Sequence, residues 1–269
     1  MILAIFKHFI STIPAGVFCF FFVCIIIVLA QSGLLLFNRF HLQKRLPVNN
    51  EVAGIMFGAI SLVYSLILAF VIVAVWEDYE DLDKTIESES DKMNSIITHI
   101  STMPDSIRIP VRQAMYTYTT NVINNEWTMH SNDLVTQSSA IPYLRLMLLT
   151  RKPKNDLQRN VFVVIDNDLS DITELRRNRL THNHSQIPDL VWFILKAGTV
   201  LLVIFSYFFQ LDSIRLKRIY LSFFSGSLAM CLFLIAALDH PFDPRMQISK
   251  APYITIQQAL QNDNVIVSN

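Results

Sequence analysis

Glycine and cysteine are both scarce in this chain. Six glycines in 269 residues leave little room for a loop that cradles phosphates, and neither a G-x-S-x-G turn nor an H-E-x-x-H helix occurs. The protein is therefore expected not to be an enzyme and to hold no cofactor. The three cysteines, Cys19, Cys24 and Cys231, stand inside apolar runs, where they act as small hydrophobes and report neither a disulfide framework nor a metal site. An excess of charge is also missing: 22 basic residues balance 22 acidic ones. Without a basic field or a basic stripe interleaved with aromatics, no nucleic acid is expected among its partners.

Apolar residues, by contrast, are plentiful. A hydrophobic fraction of 52% against a charged fraction of 16% is that of a membrane protein, with the lipid bilayer as its first partner. Between Lys7 and Arg39 nothing carries a formal charge except His8 when protonated. Ile13 to Phe37 reads as the first span, far longer than the ~7 to 15 residues of a signal-peptide core. Leu34 to Phe37 continues the run beyond Val28-Leu29-Ala30, so the segment is expected to stay as an anchor. A short connection with His41, Lys44, Arg45 and Pro47 leads to the second span, Val52 to Trp76, long enough for a core of ~30 Å. The third span is expected at Leu190 to Leu211, interrupted only by Lys196. A turn from Asp212 to Arg218 joins it to the fourth, Ile219 to Leu238, which Asp239-His240-Pro241-Phe242 stops.

The second span runs without proline into an acidic stretch in which Leu82, Ile86, Met93, Ile96, Ile97 and Ile100 keep a helical period. The carboxylates from Glu77 to Asp91 read as a solvated face, because they lack the glycine-interrupted alternation of a calcium loop. Pro104 ends this helix, and Asp105 or Ser106 is placed to cap the next, which fades around Glu126-Trp127. Further helices are expected at Ala140 to Leu149 and at Asp156 to Leu180, the latter ending in Arg176, Arg177 and Arg179. The fold class is thus an all-α membrane protein: four transmembrane helices with a helical bundle inserted between the second and third. Residues 1–76 hold the first two spans, 77–187 a water-exposed bundle continuing the second, 188–242 the last two spans, and 243–269 a polar tail. One short helix is expected in that tail around Ile254 to Gln261.

Both short inter-helix turns are basic, with Arg39, Lys44 and Arg45 in one and Arg215, Lys217 and Arg218 in the other. The positive-inside rule puts them in the cytoplasm and the bundle outside it. Gly54, Gly58, Ser61 and Ser65 form the one specific packing signal, serving either close helix contact or a narrow, partly polar pore wall. Lys196 is the ionisable residue well inside a span. It either snorkels to the interface or pairs with Asp239, Glu77 or Asp78 in a charge cluster at one membrane face. His182 and His184, one residue apart in a loop, are a poor metal signal, and no metal is expected.

Several segments together resemble the bestrophin-like family of bacterial membrane proteins. They are Asn50-Glu51-Val52-Ala53-Gly54, Ala74-Val75-Trp76-Glu77, Glu126-Trp127, Arg176-Arg177-Asn178-Arg179-Leu180, and Ala237-Leu238-Asp239-His240-Pro241-Phe242. The resemblance runs from about Asn49 to Leu260. It implies four spans with a helical insertion and a multi-pass protein of the bacterial inner membrane. Bestrophins are pentameric anion channels whose second-span helices line the pore, so it further implies a homo-oligomer, inorganic ions as partners, and Val52 to Trp76 as the lining helix. The charge bias of the short loops is opposite to that of bestrophins, which keep the insertion in the cytoplasm. The rival reading is a non-conducting membrane scaffold or sensor whose bundle binds a protein partner.

Overall fold

The computed structural model describes residues 15–40, 49–127, 140–151, 153–182, 187–211, 213–242 and 248–267, among which no strand occurs. In chain order the helices are α1 (Ala15–Arg39), α2 (Asn50–Ile100), α3 (Asp105–Asn121) with a π-helical turn at Val122–Glu126, α4 (Ala140–Thr150), α5 (Asp156–Thr181), α6 (Asp189–Ser206), α7 (Ile214–Asp239) and α8 (Ala251–Val267). Four of them, α1, α2, α6 and α7, are long and apolar enough to cross a membrane. The chain divides into two compact units, Met1–Asp78 with Ser185–His240, and Tyr79–His184 with Pro241–Asn269. His41, Lys44, Arg45, Pro47, His184 and Asp212 lie outside the described residues.

In the first unit α1 lies along α7. Gly226 faces Ile27 and Val23 there, at a spacing that would leave a methyl group in ordinary contact, 3.4 and 3.7 Å from them. Phe18 and Phe22 pack on Phe233 with centroids 5.9 and 5.8 Å apart. Gln31 Nε2 donates to Arg218 O at 2.8 Å and to Ser222 Oγ at 2.9 Å. Between α2 and α6 the seam is built on Tyr64, Leu68, Val75, Leu195 and Leu202. The Tyr64 hydroxyl donates to Leu195 O at 2.6 Å and lies 2.7 Å from Thr199 Oγ1. Gly198 leaves the space that the Tyr64 ring fills. Such small-residue contact is how helices approach where lipid removes the hydrophobic drive.

Two expected spans differ from those observed. α6 ends at Ser206 rather than at Leu211, because the apolar residues beyond it serve packing instead of helix. Tyr207 and Phe208 both stack on Phe37 of α1, with centroids 5.8 and 5.1 Å apart, and Tyr207 Oη donates to Ala30 O at 2.8 Å. Asn50 then ties down the extended chain, donating to Gln210 O at 2.6 Å and accepting from Gln210 N at 3.0 Å. α7 starts early, at Ile214, where the Ser213 side chain accepts from Leu216 N. Arg215, Lys217 and Arg218 are thus its first turns rather than a loop.

The second unit closes over Leu82, Ile86, Met93, Ile96, Ile100, Val111, Met115, Leu144, Ile165 and Leu169. Its α5 is started by Asn155, whose Oδ1 accepts from Gln158 N at 2.8 Å. At α3 the cap position is Pro104, without a side-chain cap bond, and Asp105 instead pairs with Arg108 at 2.5 Å. The expected short tail helix is a 17-residue α8. Its Tyr253, Ile256 and Leu260 are buried in the same core, so this segment is structural rather than a free polar tail.

Candidate functional site

The small residues of α2 differ in how far they meet the rest of the described chain. A methyl group on Gly58 would find nothing within 4 Å, and one on Gly54 would only touch Phe209 at 4.0 Å. Ser65 is exposed and turns its hydroxyl back to Leu62 O at 2.8 Å. The Ser61 hydroxyl is shielded yet has no hydrogen-bond partner. Only 17% of the apolar window of α2 is buried, so this half of the helix presents most of its surface outward. The glycines in tight contact within the chain are Gly33 and Gly198 instead, each beneath a tyrosine.

Lys196 stacks its ammonium over Trp192 at 5.2 Å from the ring centroid. The Trp192 indole in turn donates to Asp239 Oδ2 at 3.2 Å. Asp239, 3% exposed at the end of α7, also accepts from Ile187 N at 3.1 Å, which ties the chain entering α6 to the exit of α7. Lys196 and Asp239 are therefore joined through an indole rather than by a direct ion pair. Glu77 and Asp78 are exposed on α2 and pair with neither. His182 Nδ1 lies 2.9 Å from Asn178 O, as part of the end of α5.

The most developed polar arrangement lies in the second unit. Arg179 of α5, 1% exposed, donates from Nε to Glu89 Oε2 at 2.9 Å and from Nη2 to Glu126 Oε2 at 2.8 Å. Glu89 of α2 is fully buried, and its Oε1 accepts from Tyr118 Oη at 2.5 Å. Glu126, on the π-helical turn, also accepts from Arg176 Nη2 at 2.8 Å and from Asn121 Nδ2 at 3.0 Å. Tyr253 of α8 lies under the Arg179 guanidinium at 5.6 Å. Trp127 meets Tyr253 and Phe242 edge-on, with centroids 5.6 and 5.3 Å apart. Two carboxylates and two guanidiniums thus neutralise each other in a core that five segments share.

Position in the apolar stripe betrays this network. Glu89 stands three residues after Ile86 and four before Met93, in phase with the buried face, although it reads as part of a solvated acidic run. Arg179 stands seven residues after Ile172, again in phase. The π-helical turn carries Trp127 N to Val122 O, five residues back at 3.0 Å, and both Glu126 and Trp127 are buried there.

Burial, and then the charge of Glu89, push the Tyr118 phenol well above its ordinary value of 10.0. Burial is the largest single influence on Arg179 and opposes its charge, but Glu89 together with Tyr253 and Tyr118 outweighs it and holds the guanidinium well above its usual range. A raised phenol stabilises the fold fully below the unfolded value and loses that contribution as pH climbs through the folded one. Thermal stability should accordingly fall above about pH 10. In Tyr118→Phe that alkaline fall should be shallower, measured as melting temperature between neutral and strongly alkaline buffer; parallel curves would contradict it.

A family model described as the bestrophin-like domain matches residues 24–253. No curated protein matches the chain. Among solved structures, a bacterial bestrophin homologue from Klebsiella pneumoniae carrying a tyrosine-to-alanine mutation is similar at TM-score 0.65 and 12% identity, over 90% of this chain and 97% of that one. An isoleucine-to-threonine variant of a bestrophin homologue from the same organism gives TM-score 0.65 and 12% identity, over 90% and 96% of the two chains. At such identities the likeness concerns the fold alone.

Proposed function

We propose that this chain, which belongs to the bestrophin-like family, assembles into a homo-oligomeric ion channel of a bacterial inner membrane, with the first half of α2 lining the axial path. One observation supports this reading: among the described residues nothing approaches a Cβ built on Gly58, and Ser65 on the same face is exposed. Repeated around an axis, Gly58 and Ser65 would give a narrow wall with a hydroxyl among apolar side chains, suited to passing small inorganic ions. Basic residues at one end of the spans, Arg39 at the end of α1 and Arg215 and Arg218 at the start of α7, favour that end in the cytoplasm and the second unit outside. Lys196, held on Trp192 and through it on Asp239, supplies fixed charge near one end of the spans.

The test is current in planar bilayers containing the purified full chain. Wild type should conduct, and Gly58→Trp should cut the unit current roughly fivefold by narrowing the wall while the oligomer keeps its size in mass photometry. A wild type that carries no current rejects the channel and leaves the scaffold or sensor. Unaltered current in Gly58→Trp moves the path away from α2.

A further inference from the structure

A cavity of about 250 Å³ opens beside the α6–α7 turn of the first unit. Its walls include Phe57, Tyr207, Phe209, Tyr220 and Phe224, and Lys217 and Ser206 also line it, the lysine as its charged member. This lysine is 5% exposed. Its ammonium donates to Tyr207 O at 2.8 Å, at the carbonyl end of α6, where the helix dipole offsets part of the charge. An ammonium has three N–H donors, and no described carboxylate pairs with this one. Among the described residues, then, two donors and most of a positive charge find no partner in this aromatic site, an arrangement that is costly unless an anionic oxygen arrives. Arg215 and Arg218 are exposed on the same turns of α7 and add attraction for an anion at that end of the helix.

We propose that this cavity binds an anionic amphiphile, an acidic phospholipid of the surrounding bilayer. Its phosphate oxygen accepts from the free Lys217 donors, and its acyl chain lies among Phe57, Phe209 and Phe224. Neither half suffices: the rings offer nothing to a bare anion, and a zwitterionic headgroup brings a choline cation that Lys217, Arg215 and Arg218 repel, so it compensates the ammonium less than a net-anionic one. The inference is independent of whether the protein conducts.

Native mass spectrometry of the full chain from a neutral detergent tests it, with four probes: phosphatidylglycerol, phosphatidylcholine of the same acyl chains, decanoate and inorganic phosphate. Phosphatidylglycerol should bind about tenfold more tightly than phosphatidylcholine, about 1.4 kcal/mol, at one molecule per chain. Lys217→Met should reduce it to the phosphatidylcholine level. Decanoate binding that Lys217→Met abolishes, without a preference between the two lipids, keeps the site but makes its ligand a soluble carboxylate, which overturns the lipid assignment. Equal binding of both lipids by wild type with no decanoate bound, or inorganic phosphate held as tightly as phosphatidylglycerol, overturns the proposal. Should Lys217→Met fail to fold, Tyr220→Ala serves in its place, because that ring is exposed on the rim. It should weaken phosphatidylglycerol roughly threefold, and unchanged binding counts against the site.

Discussion

Replacing Arg179 by methionine is expected to destabilise the protein by about 3–5 kcal/mol, the largest effect of any single substitution considered. The guanidinium is shared by Glu89 and Glu126, at 2.9 and 2.8 Å, and is 1% exposed. Without it Glu89 keeps only the Tyr118 hydroxyl, and Glu126 keeps Arg176 and Asn121. A fully buried carboxylate with one neutral donor must either take up a proton or open the core to water, and both are costly. The melting temperature in detergent should fall by on the order of 10 °C. The double variant Glu89→Gln with Arg179→Met should recover part of that loss, because it removes the orphaned charge as well as its partner. Equal stabilities of wild type and Arg179→Met would mean that water enters this core freely.

Gly198→Leu is expected to be the next most damaging, at roughly 3 kcal/mol from overpacking together with lost hydrogen bonds. A Cβ at this position overlaps the Tyr64 ring. The ring cannot swing aside without surrendering its hydroxyl's contacts to Leu195 O and Thr199 Oγ1, at 2.6 and 2.7 Å. Thermal unfolding of the purified protein measures the loss, and Tyr64→Ala in the same chain should restore much of it, since the leucine then fills the vacated volume. Gly58→Leu provides the contrast. Among the described residues nothing lies within 4 Å of that position, so the single chain should tolerate it and any effect should appear in the unit current rather than in thermal stability. Two glycines in two apolar helices thus differ in what surrounds them.

That contrast also marks how far a reading of residues can go. The long apolar runs, the breaks at Pro104 and Pro188, and the 3.6-residue stripes of α2 and α5 follow from local chemistry, since backbone groups in lipid must bond within their own helix and prolines cannot continue one. Span ends were less legible: Phe208 and Phe209 look like more helix, yet these rings pack on Phe37 and Phe57 of neighbouring helices. The polar hub was half legible, because Glu89 and Arg179 stand in the phase of the buried stripe, while nothing in the order of residues pairs one with the other across ninety positions.

By itself, then, the sequence determined a membrane-embedded all-helical chain of the bestrophin-like kind, because composition and helical period are properties of neighbours along the chain. Only the tertiary structure decided which small residues are buried and which face outward, that Lys196 meets Asp239 through Trp192, and that Lys217 lies among aromatic rings with no counter-charge from the described residues. Those outcomes depend on residues far apart in the chain, whose separation after folding is set by packing and by the need to satisfy buried polar groups.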